Sequence, residues 1–347
     1  MSRDPSRLDV YCLDVGQGDC SVILPPDGEG DPILFDCADS YVAERFFLNH
    51  GVNRLEAVVV SHLDVDHIRG VLPFLKTFFA GGGKVHQLVL GIDRDEPGDA
   101  ATELIGAALR WANDLAPDGF QLFAPFREAG PRRIASGNGW DVDLVLPHYP
   151  TTMGVQLAGN QPNRGSAVLR VSRGSAVVLL GGDAELGSWE RLEPSLRPAR
   201  LIRTPHHGGD ILNGAVTWKN FGDLYDAVQA DHAVISVGTK NRHGHPVPDH
   251  LTAARRGGQC RVLCTQLTPQ CHSDVSSVRD PHGLATSIEY PYRHLAVRGH
   301  PSTRPRAEVP CAGTVLVSMD QHGAITVSPT PKRHGDFLAL LNTPMCR

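Results

Sequence analysis

The sequence predicts a layered α/β protein with reactive side chains along one edge of a sheet. Two observations support this prediction: short apolar, β-branched segments alternate with helical segments, and Asp, His or Gly residues repeatedly follow the end of an apolar segment. The 347 residues are 41% hydrophobic and 20% charged, so the chain can bury a large core and is not disordered as a whole. Its length suits about two to three domains or one large α/β domain.

Strands are expected first, in short groups, because apolar and β-branched residues recur there over a few positions at a time. Gly-containing turns separate them, as at 16–19 and 25–32. The strands predicted in this half span 8–15, 20–24, 33–35, 55–60 and 85–90. The predicted helices span 41–50, 68–79 and 100–115, and a glycine run at 81–83 closes the second.

The second half is predicted to continue the sheets and then to change character. Residues 117–140 are rich in Pro, Arg and Gly and are expected to be irregular. Further strands are predicted at 142–146, 167–171, 176–180 and 233–237, with helices at 185–195 and 248–256. After residue 265 the sequence becomes polar and loop-rich, and it ends in a predicted hairpin of 313–319 and 324–327.

The segment after the apolar strand at 55–60 offers four metal-binding groups. It reads His62-Leu-Asp-Val-Asp-His67 and provides His62, Asp64, Asp66 and His67. No Lys or Arg lies inside it, so its two carboxylates would repel each other. A divalent cation between them removes this conflict, and the segment therefore predicts a metal site.

Two further groups of potential ligands follow strands in the same way. Asp183 comes after two glycines that follow the strand at 176–180, and His206 and His207 lie in a Pro-His-His-Gly segment. Convergence of the three groups at one sheet edge would make a dinuclear site with metals about 3.5–4 Å apart, bridged by Asp183.

Five segments resemble the metallo-β-lactamase superfamily, and within it the soluble domain of the ComEC/Rec2 DNA-uptake proteins. They are Leu13-Asp-Val-Gly-Gln-Gly-Asp19, Ser61-His-Leu-Asp-Val-Asp-His-Ile-Arg-Gly70, Leu180-Gly-Gly-Asp-Ala184, Pro205-His-His-Gly-Gly209 and Ile235-Ser-Val-Gly238 with Gly244-His-Pro246. The resemblance implies an αββα metallo-β-lactamase sandwich over residues 1–265, with a hydrolase site at its edge. Residues 266–347 would then be a loop-rich C-terminal extension packed on the sandwich.

The resemblance also implies a set of metal ligands. The superfamily's ligand positions are matched by His62, Asp66, His67, Asp183 and His206. Asp64 stands where most members carry the middle His of their H-x-H-x-D-H motif, and Asn163 and Ser166 lie where many members place another His. Because both departures replace imidazole with oxygen, we expect two divalent ions, Mn²⁺ or Zn²⁺ or a mixed pair, with Mn²⁺ favoured.

The activity that this resemblance implies is hydrolysis by a metal-activated hydroxide, most directly of a phosphodiester in DNA or a nucleotide. The expected catalytic residues are Asp66, His207 and His245, the two histidines protonating the leaving oxygen or stabilising the transition state. Asp19 is expected to orient a ligand imidazole, and Lys240 to bind phosphate. Two alternatives stay open: a lactone, thioester or β-lactam as substrate, or a catalytically silent metal-binding sensor subunit.

Charge and composition limit the partners. The net charge of -5 excludes a globally basic nucleic-acid-binding protein. Arg127, Arg132 and Arg133 could still line a local groove for a nucleic-acid backbone, or belong to a solvated loop. No apolar run approaches the ~20 residues that span a bilayer, and no signal peptide precedes the first strand, so a cytoplasmic location is expected. A protein partner or a homo-oligomer is left open.

The cysteines of the last third raise a separate question. Cys264, Cys271, His272 and Cys311 could form a structural zinc site that ties the loop-rich tail to the sandwich. Their spacing does not include a CxxC pair. Buried thiols are an alternative, and a disulfide is disfavoured in a reducing compartment.

Overall fold

Two mixed β-sheets pack face to face, and helices cover the outer side of each. The structure is a computed structural model that describes residues 4–91, 97–124, 131–146, 163, 165–275 and 309–346. In chain order its strands are β1 Arg7–Cys12, β2 Ser21–Leu24, β3 Ile33–Phe35, β4 Arg54–Val60, β5 Lys84–Leu90, β6 Gln121–Phe123, β7 Arg132–Gly137, β8 Trp140–Leu146, β9 Val168–Arg173, β10 Ala176–Leu180, β11 Leu201–Arg203, β12 His232–Ile235, β13 Arg261–Cys264, β14 Val315–Asp320 and β15 Ile325–Ser328.

The helices lie between these strands. In chain order they are α1 Ser40–Asn49, α2 Val65–Ile68, α3 Val71–Ala80, α4 Asp99–Asp114, α5 Leu186–Arg191, α6 Phe221–Val228, α7 Pro248–Arg255 and α8 Pro331–Leu338. A short 3-10 turn also spans Pro205–Gly208.

Each sheet combines an antiparallel part with a parallel part. In the described part of the chain, the first sheet has the order β15-β14-β1-β2-β3-β4-β5-β6, and the strands from β3 to β6 are parallel. The second has the order β13-β12-β11-β10-β9-β8-β7, and the strands from β10 to β13 are parallel. Parallel strands end at the same edge of a sheet, so each sheet collects loop residues at one edge.

Alternate residues of the central strands build separate cores. In β4, Val58 packs beneath α1, α3 and α4, whereas the next residue, Val59, packs between the two sheets. In β10, Val178 lies between the sheets and Leu179 lies beneath the helices of the second sheet. The near-continuous apolar character of these strands follows from this burial on both faces.

Backbone and side-chain hydrogen bonds join the two sheets at the edge where the parallel strands end. The amide of Ala167, before β9, donates to the carbonyl of Ser61, after β4, at 2.8 Å. The hydroxyl of Ser236, after β12, donates to the carbonyl of Gly18 at 2.7 Å. These bonds hold the predicted reactive segments of both sheets against one another.

The predicted αββα sandwich is confirmed, and the predicted hairpin near the C-terminus forms as β14 and β15. Because β14 pairs with β1 over six residues, this part of the extension completes the first sheet. Within the described ranges, no helix is both long and apolar enough to cross a membrane.

The expectation of irregular structure at 117–140 was wrong for 121–123 and 132–137, which form strands, whereas 125–130 lie outside the described residues. β6 pairs with β5 at the end of the first sheet, and β7 pairs with β8 at the end of the second. Strands at a sheet edge are held by backbone hydrogen bonds on one side and bury little, so their side chains need not alternate in polarity.

Candidate metal centre

The segment between β4 and α3 includes the short helix α2. It directs its two histidines inward and its two aspartates toward the opening of the site. His62 and His67 are fully buried. The side chains of Asp64 and Asp66 keep 34% and 28% of their surface exposed. Gly18 packs on this loop: a Cβ there would lie 2.2 Å from the carbonyl oxygen of Asp66, and its φ of +126° suits glycine. The glycine turn at 16–19 therefore fits closely against the loop.

Asp183 lies at the middle of the cluster, and its two carboxylate oxygens face different partners. Oδ2 lies 3.5 Å from Nε2 of His62 and 3.8 Å from Nε2 of His206. Oδ1 lies 3.1 Å from Nε2 of His67 and 3.9 Å from Nε2 of His207. The carboxylate of Asp183 is thus shared by two sets of donors.

Each set contains a further carboxylate from the loop after β4. Asp64 Oδ2 lies 3.4 Å from His62 Nε2, and Asp66 Oδ2 lies 3.3 Å from His207 Nε2. The first set is therefore His62, Asp64, His206 and Asp183 Oδ2. The second set is Asp66, His67, His207 and Asp183 Oδ1.

An unusual backbone conformation lets two consecutive histidines serve both sets. His206 and His207 have φ values of +53° and +52°, in the left-handed region that residues other than glycine seldom adopt. The turn aims both rings at Asp183, although His207 is buried and the His206 side chain is 28% exposed. Such strain persists only where the surrounding structure holds it, and it is common at functional sites.

The Nδ1 atoms of these imidazoles are engaged by fixed partners. His67 Nδ1 lies 2.8 Å from Oδ2 of Asp36, and His62 Nδ1 lies 2.9 Å from the hydroxyl of Ser61. His206 Nδ1 lies 2.8 Å from the carbonyl of Asp210, and His207 Nδ1 lies 2.9 Å from the carbonyl of Ser236. A proton on Nδ1 leaves the lone pair of Nε2 directed at the centre, as in metal-ligating histidines.

Asp36 and Ser61 organise the first of these contacts and were not identified from the sequence. Both are fully buried, and Asp36 accepts hydrogen bonds from the amide and the hydroxyl of Ser61, each at 2.7 Å. The hydroxyl of Ser61 can then accept from His62. A signal was present, since Asp36 is a lone carboxylate directly after the apolar strand β3.

Arg203 was not identified from the sequence either. Its side chain is 1% exposed, and Nη2 lies 2.6 Å from Oδ1 of Asp19. The same oxygen lies 3.2 Å from Nδ1 of His207, so Asp19 contacts an imidazole of the cluster, and its role in orienting a ligand imidazole stays a prediction. A single arginine at the end of the otherwise apolar strand β11 could have indicated this buried ion pair.

Attraction between these acids and imidazoles outweighs the effect of burial on their pKa values. Burial would lower the pKa of His67, yet the carboxylate of Asp183, assisted by that of Asp36, raises it to about 9. Burial likewise opposes charge on His207, but Asp19 and Asp183 raise its pKa well above the usual range. Burial would raise the pKa of Asp183, but His67 and His62 hold it well below its usual range. The metal-free cluster therefore keeps charged carboxylates beside protonated imidazoles.

The donor chemistry fits two divalent cations. In each of three groups of residues, the potential ligand atoms lie within 4.8 Å of one another: His62, His67 and Asp183; Asp66, His67 and His207; Asp19, Asp36 and His67. The first two groups surround Asp183, and the third supports His67 from behind. Imidazole and carboxylate together suit Zn²⁺ and Mn²⁺, and binding would displace the imidazole protons.

The remaining predicted residues lie at different distances from Asp183. Ser166 contacts it, because its hydroxyl accepts from the Asp183 amide at 2.9 Å. Asn163 has a φ of +77°, and its carbonyl accepts from the amide of Ser166. Lys240 is exposed, and among the described residues its side chain forms no hydrogen bond or ion pair with the cluster.

His245 lies at the opening beyond His206. The ring centroids of the two residues are 5.3 Å apart, and a Cβ on Gly209 would lie 2.5 Å from the His245 ring. Burial, together with His206 and His207, lowers the pKa of His245 to about 4. His245 is therefore a neutral imidazole at neutral pH, and it lies beside His206.

The structure describes two of the three arginines proposed for a nucleic-acid groove. Arg127 lies outside the described residues. Arg133, on β7, forms ion pairs with Asp141 and Asp143 of β8. Arg132 stacks over the ring of Phe123, with 3.5 Å between its guanidinium carbon and the ring centroid. Both are thus engaged by neighbouring strands.

A family model described as the metallo-beta-lactamase superfamily matches residues 13–233, which is more than half of the chain. This range contains the loop after β4, Asp183 and both histidines of the left-handed turn. A search of curated proteins found no significant match.

Solved structures similar to this chain include a metallo-beta-lactamase fold protein, YhfI from Bacillus subtilis, with 15% identity over 74% of this chain and 96% of that one and a TM-score of 0.46. Human tRNase Z, short form, is similar at 14% identity over 67% and 93%, with a TM-score of 0.41. Zn(2+)-bound PqqB from Methylobacterium extorquens is similar at 12% identity over 66% and 89%, with a TM-score of 0.38. With values this low, none of these structures bears on the activity of this chain.

Proposed function

Because the chain belongs to the metallo-β-lactamase superfamily of metal-dependent hydrolases, we propose that it cleaves phosphodiester bonds in a nucleic acid or nucleotide. The observation that carries the proposal is the shared carboxylate of Asp183, which faces His62 and His206 with one oxygen and His67 and His207 with the other. Two cations held side by side suit in-line displacement at phosphorus, where attacking and leaving oxygens both carry charge.

The residues that would hold the two cations are those of the two donor sets. The first set provides His62, Asp64, His206 and Asp183, and the second provides Asp66, His67, His207 and Asp183. Bound there, a pair of divalent cations supplies Lewis acidity toward phosphoryl oxygens and lowers the pKa of a coordinated water. Since half of the donor groups in each set are carboxylates, Mn²⁺ is favoured and Zn²⁺ is the alternative.

The distribution of roles differs from the sequence-based expectation at two residues. His207 was expected to act on the substrate, whereas its buried ring and its 3.3 Å approach to Asp66 suit a metal ligand. His206 keeps the ligand role that the resemblance implied. Asp66, expected to be catalytic as well as a ligand, acts in this proposal as a ligand at the opening.

His245 is then the residue placed to touch the substrate. It lies at the opening, next to His206 and stacked on the exposed ring of His243, with 5.6 Å between the two ring centroids. A neutral imidazole there donates a hydrogen bond to a phosphoryl or leaving oxygen, which stabilises the charge that develops in the transition state.

The supporting residues keep the donors oriented in the absence of substrate. Asp36 contacts His67, and Ser61 contacts His62. Asp19 contacts His207 and is itself paired with Arg203 of the second sheet. Ser166 holds the amide of Asp183. Preorganisation of this kind limits rearrangement during the reaction.

The resemblance of five sequence segments to the soluble domain of the ComEC proteins also favours a phosphodiester. The replacement of two superfamily histidines by Asp64 and by Asn163 or Ser166 argues against a fully imidazole-ligated dizinc centre.

The test is cleavage of labelled single-stranded DNA, double-stranded DNA, RNA and cyclic dinucleotides by the purified chain with Mn²⁺ or Zn²⁺, alongside lactone, thioester and β-lactam substrates. Asp183→Asn should lower the rate on the preferred phosphodiester by about 10³-fold, equivalent to roughly 4 kcal/mol of transition-state stabilisation. Asp226→Asn, at an 80% exposed side chain, is the matched control and should cleave as the wild type does. Hydrolysis of a carbonyl substrate without phosphodiester cleavage, or metal binding without any cleavage, would overturn the proposal.

A further inference from the structure

Three cysteine thiols from separate parts of the chain lie in contact near the C-terminus. The sulfurs of Cys264 and Cys346 are 3.7 Å apart. Cys346 also forms a side-chain hydrogen bond with Cys271. Cys264 and Cys271 are buried, and Cys346 is half-buried. The three thiols therefore form a continuous group with Cys346 in the middle.

The fold brings these thiols together through the return of the C-terminal segment. Cys264 ends β13, and Cys271 lies in a turn closed by its amide and the carbonyl of Thr268 at 3.0 Å. The segment after α8 then runs back along this turn, where the Thr343 amide donates to the carbonyl of Cys271 at 3.1 Å. Met345 and Cys346 pack both against the core of the second sheet and against the small core beneath α8.

A fourth sulfur lies beside this group. The amide of Ala312 donates to the carbonyl of Cys264 at 2.8 Å, so the neighbouring Cys311 is held next to β13. Cys311 interacts electrostatically with the Cys264 thiol, and its sulfur lies 3.6 Å from Nε2 of the buried His334. The histidine expected from the sequence does not share this position: His272 Nδ1 accepts a hydrogen bond from the amide of Asn342 at 3.3 Å.

One separation within this group matches a tetrahedral thiolate site. With zinc–sulfur bonds of ~2.3 Å, neighbouring sulfurs of a tetrahedral site lie ~3.8 Å apart, close to the separation of Cys264 and Cys346. In the described structure no three of these four sulfurs lie within 4.8 Å of one another, so binding would draw the group inward. Cys271 sits on a turn and Cys346 on a terminal segment, so these two thiols can move toward Cys264 at the end of β13 while the strands of the sandwich stay in place.

We propose that Cys264, Cys271, Cys311 and Cys346 bind one structural Zn²⁺ that fastens the C-terminal segment to the second sheet. This site is separate from the His and Asp centre and does not depend on the proposed phosphodiesterase activity. Binding exchanges thiol protons for the metal and adds its binding free energy to the docking of the segment.

Release of zinc by a mercurial tests the proposal on the full chain. Wild-type protein, purified with zinc and under reducing conditions, is titrated with p-hydroxymercuribenzoate in the presence of a chromogenic zinc indicator. We expect one zinc ion per chain to be released as the thiols are capped, because the residues assigned to the other centre include no sulfur ligand. A wild type that releases no zinc on capping would overturn the proposal.

Two variants show where that zinc was bound. Cys346→Ser, next to the last residue of the sequence, should contain one zinc ion less per chain than the wild type. Cys260→Ala removes a buried thiol four residues before Cys264 that takes no part in the group, and it should retain the full zinc content. Equal zinc contents in wild type and Cys346→Ser would contradict the proposal.

A second measurement on the wild type tests thiolate binding of the metal even if Cys346→Ser folds poorly. Wild-type protein loaded with Co²⁺ in place of zinc should show a thiolate-to-cobalt charge-transfer band in the near ultraviolet. Absence of this band, or an intact mass under non-reducing conditions that corresponds to a Cys264–Cys346 disulfide, would overturn the proposal.

Discussion

Arg203 and Asp19 form an ion pair buried between the two sheets, with 2.6 Å between Nη2 and Oδ1. The same carboxylate oxygen lies 3.2 Å from Nδ1 of His207. Burial would raise the pKa of Asp19, but Arg203 and His207 lower it, so the carboxylate stays charged. An arginine with no direct contact to Asp183 is thereby connected to the centre through one acid and one imidazole.

Replacing Arg203 should destabilise the whole protein. Arg203→Met leaves the carboxylate of Asp19 buried without its cation, and removal of one partner of a buried pair costs about 3–5 kcal/mol. Urea unfolding followed by circular dichroism measures the change. Arg203→Met combined with Asp19→Asn should recover part of the loss, because the uncompensated charge is gone. A single variant as stable as the wild type would contradict the assigned role.

Asp36 should act on the metal through His67. In Asp36→Asn the side chain loses one of the two oxygens that now accept from His67 and Ser61, so the imidazole is less firmly oriented. Loss of such a supporting partner lowers metal affinity about 10- to 100-fold. Competition with a chelator of known affinity measures it.

Asp39→Asn is the matched control for this change. Asp39 caps α1 through the amide of Val42, a role that Asn fills equally well, so metal affinity should not change. If both variants bind metal as the wild type does, Asp36 has no positioning role.

Much of this centre could be predicted from the sequence, because its chemistry is concentrated in short segments. His62, Asp64, Asp66 and His67 occur within six residues after an apolar strand, and Asp183 follows another. The assignment of His206 and His207 to different donor sets could not be predicted, because it depends on two consecutive left-handed residues that no local pattern favours.

The supporting residues and the edge strands were harder to predict from the sequence for a related reason. The contact between Asp36 and Ser61 depends on the register of β3 and β4, which brings together residues that are distant in sequence. The helix α6 and the strand β13 were not predicted either; they are only eight and four residues long. Sequence periodicity is weakest for such short elements.

His207 and His245 should separate metal binding from catalysis. His207→Ala removes a donor that faces both Asp66 and Asp183, so the purified variant should retain less metal than the wild type. His245→Ala should retain its metal but lower kcat about 10²-fold, since it removes one hydrogen-bond donor to the reacting phosphate. Metal analysis and steady-state kinetics on the preferred substrate measure the two effects. His243→Ala, at the exposed neighbour, is the control, and loss of metal from His245→Ala would assign that residue to the ligands instead.

The metal-free protein should lose stability as the pH rises above neutrality. The pKa of His67 is raised to about 9 in the folded state, against an unfolded value of ~6.5, because Asp183 and Asp36 favour the imidazolium despite its burial. A raised pKa contributes stability that is fully present below pH ~6.5 and is lost as the pH rises to about 9. The Tm of chelator-treated protein should therefore fall between these limits, whereas added Mn²⁺ should stabilise the protein increasingly over the same range, because deprotonation frees the ligand nitrogens.

His67→Gln provides the comparison that ties this behaviour to one residue. Glutamine keeps a polar side chain beside Asp36 but does not titrate, so the metal-free variant should show a shallower decline of Tm between pH 6.5 and 9, measured by calorimetry. His207 has a raised pKa as well, and part of the decline should persist for that reason. An unchanged slope in His67→Gln would mean that the pair of His67 with Asp183 does not stabilise the metal-free fold, and that another group titrates in this range.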